Sequence, residues 1–238
     1  MLIGGLQKLT LIDFPGKVAA TVFTVGCNFR CPFCHNPELV VASRFHEADR
    51  ISEKYFFDFL ESRKGKLDGV CITGGEPTIQ PDIIDFIRRI KEAGFAVKLD
   101  SNGTNPEILE KVFAEGLIDF IAMDIKHQLE KYYDACLSDL FGDFPKIDLK
   151  KISRSVELIR ASGVPYEFRT TVVPGIHTVE DFEIIARWLD GAERYALQQF
   201  REGKLIDERL AQNSQAPLDL EEVKKNIENH FGEVIVRG

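Results

Sequence analysis

The sequence predicts an α/β fold: an open, partial (β/α)6 barrel followed by an extra C-terminal helix and edge strand. Three observations support this expectation. Short apolar runs of strand length alternate with amphipathic helical patterns along the chain. The runs are apolar enough to be buried on both faces, which implies parallel pairing between layers of helices. The 238 residues leave room for about six strand–helix repeats, not the eight that complete a barrel. In such folds the chemistry sits at the carboxyl ends of the strands.

Strands are expected at residues 18–25, 69–73, 96–100, 120–124, 167–173 and 194–200. The first helix, 52–63, opens on Ser52, an N-cap candidate. The second, 81–93, places Ile83, Phe86, Ile87 and Ile90 on one face, with Pro81 near its first turn. Further helices are expected at 106–115, 149–162 and 179–189, and a last helix, 220–230, precedes a short strand, 234–237. No repeat or low-complexity tract interrupts residues 1–238, which are read as a single domain. Two irregular segments stand out, 127–149 and 201–217. Loops of this length are functional or mobile, or are surface excursions with a short helix of their own.

A net charge of −8 argues against wrapping nucleic acid, which rewards basic surfaces. No apolar run approaches the roughly 18–20 residues of a membrane span. Residues 1–11 lack the basic start and long apolar stretch of a signal peptide. A cytoplasmic protein, with neither membrane nor nucleic acid as a partner, is expected. Its five cysteines are too few for a disulfide framework and would stay reduced there.

Three of those cysteines, Cys27, Cys31 and Cys34, lie within eight residues, after the first strand. At spacings of four and three they can converge from one tight loop. Thiolates favour zinc or clustered iron. Structural zinc sites take four ligands in two separated pairs. Here there is one group of three, and Cys71 and Cys136 are isolated. Three thiolates on a four-iron cluster would leave one iron open, the mark of a catalytic metal site. Zinc completed by His35, and simple core packing, are the alternatives.

The Cys27-x3-Cys31-x2-Cys34 loop resembles that of the radical S-adenosylmethionine (radical SAM) superfamily. The fuller string, Ile12-Asp13-Phe14-Pro15-Gly16-Lys17 through Gly26 to Pro37, is similar to the activating proteins of anaerobic ribonucleoside-triphosphate reductase. The resemblance implies a barrel of the radical SAM type and a 4Fe–4S cluster on the three cysteines. It implies that the open iron takes the amino and carboxylate groups of SAM. One electron then splits a C–S bond, giving methionine and a 5′-deoxyadenosyl radical. Phe33 occupies the position of an aromatic residue that contacts adenine; otherwise it is a core phenylalanine.

Gly74-Gly75-Glu76-Pro77 follows the second expected strand. A double glycine lets backbone approach closely, and a carboxylate can accept from an ammonium. The segment resembles the motif that holds the SAM amino group. Asp100, Ser101 and Asn102 end the third expected strand, and Asp124 and Lys126 end the fourth. Both segments resemble ones that line the SAM site. The resemblance gives Asp100, Ser101 and Asp124 as ligands of a monovalent cation, and oxygen donors suit such an ion. It gives Lys126 as a catalytic lysine near SAM and the substrate glycine. Arg169 matches an arginine that pairs with the SAM carboxylate, a task for a guanidinium fork. The plainer readings are a strand-ending turn at Asp100 and Asn102, an exposed Asp124–Lys126 ion pair of little worth, and a surface charge at Arg169.

One departure is visible. Related pyruvate formate-lyase activators carry a histidine after the sixth strand, where this chain reads Leu197-Gln198-Gln199-Phe200; Phe200 is expected to contact adenine. Cys71 is expected to be packing, and His35 to stabilise the loop or shield the cluster. No role is assigned to His46, His127, His177, His230 or Cys136.

The resemblance thus implies an enzyme that places a glycyl radical on anaerobic ribonucleotide reductase, with a flavodoxin or ferredoxin as electron donor. The alternatives are a radical SAM enzyme acting on another glycyl-radical enzyme or on a small molecule, and a zinc-stabilised binding domain without activity.

Overall fold

Eight strands run in sequence order through one sheet: β1 (Ile3–Thr10), β2 (Ala19–Thr24), β3 (Gly69–Gly74), β4 (Ala96–Ser101), β5 (Phe120–Asp124), β6 (Tyr166–Val172), β7 (Ala192–Gln199) and β8 (Phe231–Arg237). These come from a computed structural model that describes residues 1–41, 44–138, 140, 142, 146–212 and 215–238. The helices are α1 (Pro37–Val40), α2 (Glu53–Glu61), α3 (Ile83–Glu92), α4 (Pro106–Ala114), α5 (Tyr132–Cys136), α6 (Leu149–Ala161), α7 (Val179–Trp188) and α8 (Leu220–Ile227). No helix among the described residues is long and apolar enough to cross a membrane. The expected α/β class is observed, with β8 and α8 as the extra C-terminal strand and helix.

The chain divides into two compact units. The first comprises Met1–Asn28, Glu38–Ala122 and Lys150–Pro165; the second comprises Phe29–Pro37, Met123–Leu149 and Tyr166–Gly238. In the first, β1 runs antiparallel to β2, and β2, β3 and β4 are parallel. The sequence reading assigned no element to residues 1–11. The reason is visible: β1 has a single partner, two register irregularities and a Gly4-Gly5 pair that breaks the alternation of a strand. A Cβ at Gly4 would lie 2.5 Å from the Leu39 side chain and 2.6 Å from that of Val25, so a larger residue there would have to displace them.

Helix α2 starts where Ser52 accepts the Tyr55 N–H at 3.2 Å, filling one of the donors left open at a helix start. Helix α3 buries Ile83, Phe86, Ile87 and Ile90, the face read from the periodicity. Phe56 of α2 stacks on Phe86 of α3 with centroids 5.1 Å apart, so the two helices share one aromatic core.

In the second unit, β6, β7 and β8 are parallel. Arg237 at the end of β8 donates to both oxygens of the buried Glu167 on β6, at 2.8 and 2.7 Å. Phe231 stacks on Tyr195 of β7 at 4.8 Å, which starts β8 three residues earlier than expected. Helix α7 carries a capping box formed by Thr178 and Asp181. The segment 127–149 holds α5, and 201–217 holds a 3-10 turn at Glu208–Gln212; residues 139, 141, 143–145, 213 and 214 of these segments lie outside the described set.

Phe86→Ala should cost about 3–5 kcal/mol, because it empties the stacked core of α2 and α3. Ile12→Ala, at a side chain 86% exposed, should stay within about 0.5 kcal/mol. Urea denaturation of both variants measures the difference.

Candidate active site

In the first unit the site begins where β3 ends. Gly74 has a φ of 110°, and a Cβ on it would lie 2.5 Å from the Thr24 nitrogen. At Gly75 a Cβ would lie 1.9 Å from the carbonyl oxygen of Gly26, the residue before Cys27. The Gly75 N–H donates to Thr24 at 2.8 Å, and the Glu76 N–H donates to Gly26 at 2.8 Å. The double glycine therefore serves a close approach of backbone to backbone, between the motif and the start of the cysteine loop.

Glu76 is buried. Its Oε1 accepts the Thr78 N–H at 3.0 Å, the Ser101 hydroxyl at 2.9 Å and the Thr78 hydroxyl. Its Oε2 accepts the Asn102 N–H at 2.6 Å and keeps a second lone pair. Burial pushes the Glu76 carboxyl up, against the donors that oppose it. Asn102 in turn accepts the Thr104 N–H and hydroxyl at 3.1 and 2.7 Å, which is the turn expected at a strand end. It also donates to Asn28 at 2.8 Å, and its amide nitrogen lies 4.0 Å from Cys27 Sγ. Glu76, Ser101, Asn102 and Cys27 are thus brought together. Asp100 is buried and ion-paired with Lys98, a buried lysine in β4 that the sequence reading passed over.

In the second unit, Asp124 at the end of β5 accepts from Lys126 Nζ at 2.8 Å and from Arg169 Nε of β6. The Ile125 N–H donates to the Arg169 carbonyl at 2.8 Å, which ties the end of β5 to the middle of β6. The side chains of Lys126 and Arg169 are only 16% and 15% exposed, so the exposed-pair and surface-charge readings fail. Burial opposes ionisation of Asp124, but Arg169 and Lys126 outweigh it and hold the carboxyl well below its ordinary range. Burial likewise disfavours the Lys126 ammonium, and Asp124 overrides it and raises the lysine. Lys126 Nζ lies 5.9 Å from the ring centre of buried Phe33.

Cys31 has a partner the sequence reading treated as isolated. A hydrogen bond with Cys136 lowers the Cys31 thiol against the effect of burial, and the Lys126 charge adds to it. Phe200 stacks on His35 with centroids 5.9 Å apart, so its contact in the second unit is the residue after Cys34.

Two histidines without an assigned role lie behind Lys126. His177 Nδ1 accepts the Val173 N–H at 3.0 Å, and its Nε2–H donates to the Lys126 carbonyl at 2.9 Å. His127 stacks on it at 4.8 Å and donates to the Ile176 carbonyl at 3.1 Å. Their signal in the sequence was position: His127 follows Lys126, and His177 follows the Pro174-Gly175 turn after β6.

The donor set suits an iron–sulfur cluster. Cys27, Cys31 and Cys34 are in no disulfide, and one of them is shifted toward the thiolate that iron requires. Among the described residues no three His, Cys, Asp or Glu form a site for one metal ion. A four-iron cluster instead takes each thiolate on a separate iron.

The superfamily model for radical SAM proteins matches residues 21–189, and by that match the chain belongs to the radical SAM superfamily. A protein of Methanocaldococcus jannaschii, provisionally named a glycyl-radical enzyme activating enzyme, is 36% identical over 99% of this chain and 95% of its own length. The pyruvate formate-lyase-activating enzyme of Clostridium pasteurianum is 27% identical over 81% of this chain and 84% of its own. Within the superfamily, the chain is an enzyme of the glycyl-radical enzyme activating family, whose members act on protein substrates. The family implies a 4Fe–4S cluster and SAM. Solved structures agree in fold: TYW1 with a lysine-pyruvate adduct (TM-score 0.54, 20% identity, 88% of this chain and 72% of that one) and Streptococcus suis SuiB bound to its precursor peptide SuiA (TM-score 0.60, 15% identity, 92% of this chain). This chain spans 48% of the SuiB length.

Gly75→Ala should destabilise the chain by more than about 2 kcal/mol, because the obstructing atom is backbone and no rotamer relieves it. The shift in urea midpoint tests this.

Burial pushes His177 down to about 4 from 6.5, outweighing the Lys126 carbonyl, which favours the protonated ring. Between those values the unfolded chain binds the proton and the folded chain does not, so stability rises with pH across the window. It should be full above pH 6.5 and fall by up to about 3 kcal/mol as pH drops to 4. The Asp124 and Asp181 carboxyls, both held low, lose their contribution only below that. His177→Gln should flatten the slope between pH 6.5 and 4, as read by urea unfolding at each pH.

Proposed function

We propose that this chain reductively cleaves SAM and generates a glycyl radical on anaerobic ribonucleoside-triphosphate reductase, taking its electron from a flavodoxin or ferredoxin. The observation that supports this best is the loop of three cysteines in no disulfide, Cys27, Cys31 and Cys34, in a chain similar over nearly its whole length to an activating enzyme. In this reading the three thiolates hold the 4Fe–4S cluster, which when bound supplies the electron that splits the sulfonium C–S bond.

The remaining residues bind and orient. Glu76 offers the free lone pair of Oε2 to the SAM ammonium, with Gly74 and Gly75 setting its backbone. Ser101 and Asn102 fix that carboxylate from β4. Arg169 offers its fork to the SAM carboxylate, Lys126 faces the reacting groups, and Phe33 and Phe200 offer apolar faces to adenine. No side chain needs to move a proton, because the hydrogen leaves the substrate glycine as an atom. The protein's task is to position SAM and keep water away.

Anaerobically reconstituted protein, with SAM, reductant and the reductase, should give a glycyl radical signal by electron paramagnetic resonance. Methionine formation without that signal would remove the reductase as substrate. Cys27→Ala, Cys31→Ala and Cys34→Ala should each abolish both products. Glu76→Gln should raise the KM for SAM roughly 10–100-fold, the loss of a charge-assisted hydrogen bond.

A further inference from the structure

We infer that residues 205–209 form a strap that holds the second and third cysteines in their ligand positions, with Asp207 as its positioning residue. The inference rests on the cluster reading above, and it gives a task to a late segment that the family resemblance left without one. The turn Cys31-Pro32-Phe33-Cys34 carries a bond of its own, from Cys34 N–H to the Cys31 carbonyl at 3.0 Å. The strap satisfies the two carbonyls that flank Phe33. Ile206 N–H donates to Cys34 at 3.2 Å, and Asp207 N–H donates to Pro32 at 3.0 Å. Leu205 and Ile206 are buried at 1% and 2% exposure, so the strap is anchored by apolar contact as well.

A second segment holds the other end of the loop. Arg30 N–H donates to the Cys136 carbonyl at 2.9 Å, and Arg30 bridges to Leu137. The next residue, Ser138, donates its hydroxyl to Asp207 at 3.3 Å. Asp207 therefore closes a ring that runs from Arg30 through Cys136 to Ser138, on to Asp207 and back to Pro32. Its carboxylate is kept in orientation by Arg209, whose N–H, Nε and Nη2 donate at 3.1, 2.8 and 2.6 Å. A buried carboxylate fixed by four donors from two segments resists rotation. The turn it holds carries two of the thiols on which an iron–sulfur cluster depends. Loosening the ring should therefore open the route by which the cluster loses iron, while leaving the thiols themselves in place.

The test uses the full chain, reconstituted without oxygen, and follows iron release to a chelator by loss of the brown absorbance. Asp207→Ala should speed release about tenfold, the worth of one charge-assisted hydrogen bond of about 1.5 kcal/mol. Asp207→Asn can still accept from Ser138 and should recover part of that factor. Ser138→Ala, which cuts the ring from its other side without touching the strap backbone, should speed release by a smaller factor and serves where Asp207→Ala fails to fold. A purely structural role would lower the thermal midpoint of the cluster-free protein and leave native-state release unchanged. Wild-type protein that holds iron, with release equally fast in Asp207→Ala or in Ser138→Ala, overturns the strap alone. Wild-type protein that takes up no iron overturns the cluster reading and the strap together.

Discussion

A position without room for a side chain organises the candidate site residues of the first unit. Gly75 lies so close to Gly26 that even a methyl group would meet a carbonyl oxygen at 1.9 Å. The parallel register of β2 and β3, Thr24 opposite Gly74, brings the two strand ends to that contact. From it the chain departs in two directions. One strand end leads into Cys27 and the other into Glu76, whose N–H is bonded to Gly26 itself. The thiol and the carboxylate are thus referenced to the same few backbone atoms. A glycine motif usually taken as clearance for a ligand acts first as clearance for the protein's own backbone.

The candidate site residues of the second unit are organised by charge. Asp124 lies between Lys126 and Arg169, one anion between two cations, in side chains mostly shielded from water. The Lys126 charge also favours the thiolate of Cys31, against Asp124. The backbone beneath it is held from behind, where His177 donates to the Lys126 carbonyl and Thr170 donates to the Ile125 carbonyl at 2.6 Å. The neutral imidazole is essential to this support, because only one ring nitrogen can carry a proton when the other faces an N–H.

Much of this was legible in the sequence, for identifiable reasons. Strands β2 to β7 were found because buried parallel strands are short apolar runs, and α3 because its apolar face repeats at helical spacing. Strand β1 was not, because an edge strand with one partner needs neither an apolar run nor strict alternation. The cysteine loop and Gly74-Gly75-Glu76 stand out locally, since their spacing is their signal. Lys98, Cys136, His177 and Asp207 do not. Each acts through a partner remote in sequence: Lys98 is one strand over from Cys71, Cys136 is reached from Cys31 across more than a hundred residues, and Asp207 closes a ring on Pro32. Such pairings exist only once the fold brings the segments together.

The buried charges themselves argue that this molecule was shaped for geometry more than for stability. Asp100 with Lys98, Asp124 with Lys126 and Arg169, Glu167 with Arg237, and Asp207 with Arg209 are all carboxylates shielded from water and held by a cation. An ion pair taken out of water recovers its desolvation cost only with good geometry, and apolar substitutes of similar volume are often as stable. What an apolar pair cannot do is fix direction. A carboxylate gripped by a guanidinium or several N–H donors has one orientation, and so does the backbone attached to it. Asp100 and Asp124 lie at the carboxyl ends of strands, and Asp207 lies against the cysteine turn. In the proposed reading these residues hold a cosubstrate in one pose while a single bond breaks, and an error of an ångström there costs more than a few tenths of a kilocalorie in the core.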